Sequence, residues 1–95
     1  MIRSFKCFET EKISKGLKSS EFPPNIQVRA LDKLMMIKSA SKLTDLRVPP
    51  GNRLEQLKGK KREGQFSIRI NDQWRICFKW ENGEAIDVEI VDYHD

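Results

Sequence analysis

The chain has 95 residues, of which 38% are hydrophobic and 34% charged, with five Phe, two Trp and a formal charge of +4. This length accommodates one domain over 1–95 with one small core, and the aromatic content argues against a disordered chain. No apolar run approaches the roughly 20 residues of a membrane span, and two distant cysteines, Cys7 and Cys77, read as reduced thiols. A cytoplasmic protein with no membrane partner is expected, and its charge favours a nucleic acid, another anionic surface or an acidic protein.

In chain order, Ile2 to Phe5 reads as a short first strand that joins a later sheet. A first helix follows, with Thr10 as its N-cap, Glu11 in its first turn, Ile13 and Leu17 on one face, and Lys15 and Lys18 toward solvent. Pro23 and Pro24 close the connection after it. The spacing of Ile26, Ala30, Leu34 and Ile37 predicts a second helix over 25–40, with Val28, Leu31 and Met35 widening its buried stripe and Arg29, Lys33 and Lys38 opposite. Residues 41–51 read as a loop with a short helical turn, tied down by Leu43, Leu46 and Val48. Residues 53–57 read as a strand leading into Lys58-Gly59-Lys60-Lys61-Arg62-Glu63-Gly64, either a solvated turn or an electropositive rim.

The strongest pattern runs from Gln65 to Trp80. Phe66, Ile68 and Ile70 alternate with Gln65, Ser67 and Arg69; after Asn71-Asp72-Gln73, Trp74, Ile76, Phe78 and Trp80 alternate with Arg75, Cys77 and Lys79. The apolar sets claim one sheet face and leave Arg69 and Arg75 on the other. Cys77 falls among the arginines, where a small buried residue beneath another element is the favoured reading. Asn82-Gly83 signals a tight hairpin, and in the last strand Ile86, Val88 and Ile90 are expected to face one way, with Asp87, Glu89 and Val91 facing the other. The fold class expected is α+β: a mostly antiparallel twisted sheet with two N-terminal helices packed on one face.

Two forked cations on rigid strands suit a phosphate. His94, the sole histidine, lies beside Tyr93 and after Asp92 at the chain end. If the last strand lies next to Arg69 and Arg75, the expected chemistry is attack of a ribose 2′-hydroxyl on its own phosphodiester without a metal or other cofactor. Arg69 and Arg75 would hold phosphate oxygens, Lys58 neutralise charge or help activate the hydroxyl, Tyr93 stack or orient, and His94 move a proton. Lys60, Lys61, Arg62 and Lys79 would guide the backbone of the RNA. The opposing reading makes the arginines a surface ladder paired with Asp87, Glu89 or Glu63. No metal-ligand spacing is found.

Leu57-Lys58-Gly59, Arg62-Glu63-Gly64, the run from Ser67 to Phe78 and the ending Val88-Glu89-Ile90-Val91-Asp92-Tyr93-His94 resemble the HigB-type, or plasmid maintenance system killer, branch of the RelE/ParE toxin superfamily. The resemblance implies a small RelE-like fold and a ribosome-dependent endoribonuclease that cleaves mRNA. It also implies a helix-turn-helix antitoxin of the HigA type as partner, with operator DNA contacted indirectly through their complex. Family active-site positions match Lys58, Arg75, Tyr93 and His94, with Asp92 adjoining and Arg69 in the branch's own pattern. Some relatives carry a basic residue where this chain has Asn71 or Asp72, and a histidine where it has Glu55. The superfamily also contains DNA gyrase poisons, so a gyrase poison and a non-catalytic RNA- or protein-binding module stand as alternatives. The apolar helical layer is the expected antitoxin surface.

Overall fold

The computed structural model describes residues 1–93. Its elements are α1 (Phe8–Ser14), α2 (Pro24–Ser39), two 3₁₀ turns (Leu43–Arg47 and Pro50–Asn52), and strands β1 (Glu55–Gln56), β2 (Gln65–Arg69), β3 (Trp74–Glu81) and β4 (Glu84–Asp92). The strands form one antiparallel sheet in the order β1-β2-β3-β4. Both helices pack on one face, and Ile13, Ile26, Ala30, Leu34 and Ile37 meet Ile68, Ile70, Ile76, Phe78, Val88 and Ile90 in a single core. The expected α+β class and two-layer arrangement are therefore found. No helix among the described residues is long and apolar enough to cross a membrane.

The N-terminal segment runs parallel to the outer edge of β4, through bridges Ile2 to Ala85 and Phe5 to Val88. Arg3 N and Lys6 N donate to the carbonyls of Ala85 and Val88 at 2.8 and 3.0 Å. An edge that would otherwise expose unpaired amides is thus covered. The Asn-Gly turn behaves as its chemistry requires: Asn82 and Gly83 take φ of 51° and 78°, the two positive values of a tight hairpin.

Several local expectations are corrected. Cys7, not Thr10, is the N-cap of α1 and makes no side-chain cap bond. Thr10 is fully buried, and its Oγ1 accepts a hydrogen bond from Ile90 N at 3.0 Å, joining α1 to β4. Thr10→Val should cost about 1–3 kcal/mol in urea unfolding because it orphans that amide, whereas Thr10→Ser should stay near wild type. Leu17 is exposed, and on α2 Val28 and Met35 are exposed too, so of the expected residues only Leu31 widens the buried stripe of Ile26, Ala30, Leu34 and Ile37. The strand expected over 53–57 contracts to two residues because Arg53 adopts a left-handed conformation (φ 46°) after the second 3₁₀ turn.

The last strand also breaks its simple alternation. Cys77 pairs with Glu89 but Lys79 with Ile86, so β4 contains one more residue than β3 over this interval, with Asp87 at φ 55°. This bulge inverts the parity. Ala85, Val88 and Ile90 face the core, whereas Ile86 lies beside Lys79 on the face that carries Arg75, contrary to the expected grouping of Ile86 with Val88 and Ile90.

Candidate active site

The face opposite the helices carries an open cleft of about 460 Å³ lined by Arg53, Glu55, Arg69, Asn71, Asp72, Arg75 and Tyr93. Its floor comes from the central hairpin, where Arg69 and Arg75 are direct cross-strand partners. Like charges at such positions repel. Each arginine has its own carboxylate: Arg69 is ion-paired with the exposed Asp72 of the following turn, and Arg75 with Glu55 of β1 at 3.5 Å. The anticipated ladder partners Asp87, Glu89 and Glu63 are not those used. Glu89 instead binds Lys6 and Arg62, and Asp87 lies 4.0 Å from Lys79.

Arg75 joins the largest number of elements in the cleft. Its Nε–H donates to Ser67 Oγ at 2.8 Å, a terminal nitrogen donates to the carbonyl of Arg53 at 2.8 Å, and its guanidinium lies 5.4 Å from the centre of the Tyr93 ring. Its side chain is only 11% exposed. The left-handed turn at Arg53 aims that carbonyl at the guanidinium, while Ser67 sits two residues before Arg69 and therefore on the same sheet face. Arg75 has five N–H donors, so these bonds fix the fork while leaving donors for a ligand.

The chain's end is fastened by Gln73. Its carbonyl accepts from Tyr93 N at 2.7 Å, and its Nε2 donates to Asp92 Oδ2 at 3.0 Å. Asp92 pairs with Trp74 at the end of β4, placing Tyr93 over Arg75. His94, expected to move a proton, lies outside the described residues. Among the described residues, no three His, Cys, Asp or Glu side chains gather so as to hold a metal ion.

Arg69, Arg75 and Tyr93 are thus brought together, with Asp92 adjoining. Lys58, Lys60 and Lys61 lie exposed on the connection between β1 and β2, outside the cleft lining. Arg62 turns inward, reaching Glu89 at 3.3 Å and Gln65 Oε1 at 3.1 Å, which ties the basic segment to the sheet. Lys79 lies farther along β3. Sequence reasoning missed Arg53, whose role depends on a turn after Pro-Pro-Gly-Asn. For Glu55 the only signal in the sequence is its departure from the resemblance, an acid where some relatives have a histidine.

Cys77 is fully buried, as expected, and burial raises its thiol from an ordinary 9.0 to about 11. In the native protein Cys7 should react with a maleimide and Cys77 should not until unfolding. The linkage follows: above about pH 9 the unfolded chain holds fewer protons at this thiol than the folded one, so stability should fall between about pH 9 and about pH 11. Cys77→Ala should remove that part of the decline in denaturant titrations.

The open antiparallel sheet with two helices on one face is consistent with a RelE-like fold. Residues 6–94 match the family model described as RelE-like toxin of type II toxin-antitoxin system HigB. The chain is 42% identical over 64 residues to Toxin HigB-1 of Vibrio cholerae, covering 67% of this chain and 66% of that protein. It is 42% identical over 66 residues to an uncharacterized Haemophilus influenzae protein, covering 70% of this chain and 64% of the relative. These two matches span slightly less than two thirds of the relatives' lengths. Endoribonuclease HigB of Proteus vulgaris is 36% identical over 98 residues, which takes in 99% of this chain and 100% of the relative. The chain belongs to the HigB-like toxin family.

Proposed function

We propose that the chain is the toxin of a type II toxin–antitoxin pair and acts in the cytoplasm as a ribosome-dependent endoribonuclease that cleaves mRNA. The observation that carries this reading is the direct cross-strand pair Arg69 and Arg75, placed in one cleft with Arg53, Glu55 and Tyr93. The name of the Proteus vulgaris relative supports the same activity.

In this reading the scissile phosphate enters between Arg69 and Arg75 and exchanges the exposed carboxylate of Asp72 for its own oxygens. The guanidinium forks then face the charge that grows on the pentavalent phosphorus. Glu55 takes the proton of the ribose 2′-hydroxyl. The new O2′–P bond forms as the P–O5′ bond breaks, and the departing O5′ receives a proton from Tyr93 or His94. The products are a 2′,3′-cyclic phosphate and a 5′-hydroxyl, with no change in redox state and no metal required. Lys58 adds positive charge at the rim, and Asp92 orients the chain end.

Such an open cleft does little to align a flexible strand by itself, and in-line geometry is where most of the rate would lie. The ribosome supplies an mRNA already held extended, while Lys60, Lys61 and Lys79 meet ribosomal or messenger phosphates; Arg62, tied to Glu89, contributes less. The antitoxin, of helix-turn-helix type, docks on the helical layer where Phe8, Leu17 and Val28 stand exposed, and operator DNA is contacted through it. Programmed ribosomes supplied with purified toxin test the chemistry. Fragments ending in a 2′,3′-cyclic phosphate, formed only with ribosomes present, are expected; 3′-hydroxyl and 5′-phosphate ends contradict internal attack.

A further inference from the structure

The cleft does not end at Arg69. On its far side a second depression of about 300 Å³ is lined by Arg29, Lys33, Gly51, Arg69 and Ile70, so one arginine borders both hollows. Arg29 and Lys33 are four apart on α2 and therefore neighbours, with Cβ atoms about 6 Å apart. Arg29 reaches the carbonyl of Ile70 at 3.4 Å, and Lys33 donates to the buried Asn52 at 2.6 Å, so α2 presents both cations around the edge of the sheet. Unlike Arg62, Arg69 and Arg75, neither forms an ion pair among the described residues. Burial and the charge of Arg29 hold the Lys33 ammonium below its usual range. Together the two hollows carry five cations, Arg29, Lys33, Arg53, Arg69 and Arg75, against two carboxylates, Glu55 and Asp72. Asp32, next to Lys33 on α2, offsets part of this charge without forming an ion pair with either residue, and two adjacent cations with no carboxylate in their own hollow suit a ligand that brings its own negative charge.

We propose that this depression between α2 and the end of β2 is a second phosphate subsite, which holds the backbone of a single-stranded RNA one or two nucleotides from the phosphate in the main cleft. The assignment rests on the ribonuclease reading for the identity of the strand. Arg69 links the two subsites, and Gly51 leaves the floor open: a Cβ there would meet nothing within 4 Å. An acidic protein partner is the competing occupant, but the depression shares Arg69 with a cleft whose paired forks fit phosphate, which favours RNA.

The test uses 2′-O-methyl oligonucleotides of two to six nucleotides, which bind without being cleaved, followed by fluorescence anisotropy on the purified full chain. Wild type should bind about tenfold more tightly once the strand is long enough to reach both hollows. Arg29→Gln/Lys33→Gln should lose that increment, and the slope of log affinity against log salt should fall by about 1.4, two phosphate contacts on a single strand. Gly51→Glu, which leaves the Lys33–Asn52 bond in place, should lose the increment too and guards against a misfolded double variant. Equal binding by all three proteins, no length dependence, or no binding at any length overturns the subsite. So does a poly-glutamate peptide of equal charge that binds as tightly and weakens equally in the variants. Retained length dependence with no transcript cleavage would count against the ribonuclease reading alone.

Discussion

Arg75→Lys should reduce ribosome-dependent mRNA cleavage by about 10²-fold or more, the loss typical when a preorganised donor facing developing charge is removed. Charge is retained in this variant; the fork is not. A lysine ammonium cannot simultaneously bond Ser67 Oγ and the carbonyl of Arg53, reach Glu55 and lie flat against Tyr93 as the guanidinium does. Arg75→Ala should be at least as inactive and less stable by about 1–3 kcal/mol, because Ser67 is fully buried and loses its donor. The lysine variant is therefore the sharper instrument. Cleavage kinetics on programmed ribosomes, read beside urea unfolding, separate the two effects, and activity within a few fold of wild type in a folded Arg75→Lys protein would remove Arg75 from the chemistry.

The second large effect concerns Glu55. Its carboxylate is 47% exposed in the cleft and lies 3.5 Å from the Arg75 guanidinium, so it can meet a ribose hydroxyl without leaving the site. Glu55→Gln keeps the shape and removes the proton acceptor. Cleavage should fall by about 10²- to 10³-fold while RNA affinity holds or rises, because a negative charge has left a phosphate site. Glu55→His should recover a substantial part of the rate, because a neutral imidazole at the same place can accept the proton. Full activity in Glu55→Gln would assign base catalysis to another group.

How far the sequence discloses this arrangement depends on how local each determinant is. The hairpin from Gln65 to Trp80 is legible because a period of two divides Ile68, Ile70, Ile76 and Phe78 from Arg69, Arg75 and Cys77, and the structure keeps that division. The core line of α2 and the Asn82-Gly83 turn are legible for the same reason. Ile86 was not, because one inserted residue at Asp87 inverts parity without any compositional mark. Thr10 reads as a cap because a threonine before an acidic residue is an ordinary cap signal, whereas its real partner, Ile90 N, lies eighty residues away. Within the cleft, Arg69, Arg75 and Tyr93 could be grouped from alternation and resemblance. Arg53 and the pairing of Glu55 with Arg75 depend on a left-handed turn and a two-residue strand, and neither has a periodic signature.

The charge distribution also divides the basic segment 58–64. Arg62 is fixed by Glu89 and Gln65, so the segment is anchored on the sheet and presents Lys58, Lys60 and Lys61 outward. Anchoring loses one cation but orients three, which suits contact with a large polyanion more than capture of a small ligand.

Mapping of transcript ends in cells after brief induction, with translation running and with translation blocked, tests the proposed ribonuclease most directly. Cuts within coding sequence that vanish when translation is blocked, and that are absent after induction of Arg75→Lys at equal protein level, are the predicted result. Gyrase-linked DNA breaks without new transcript ends, or arrest of growth with neither, would contradict it.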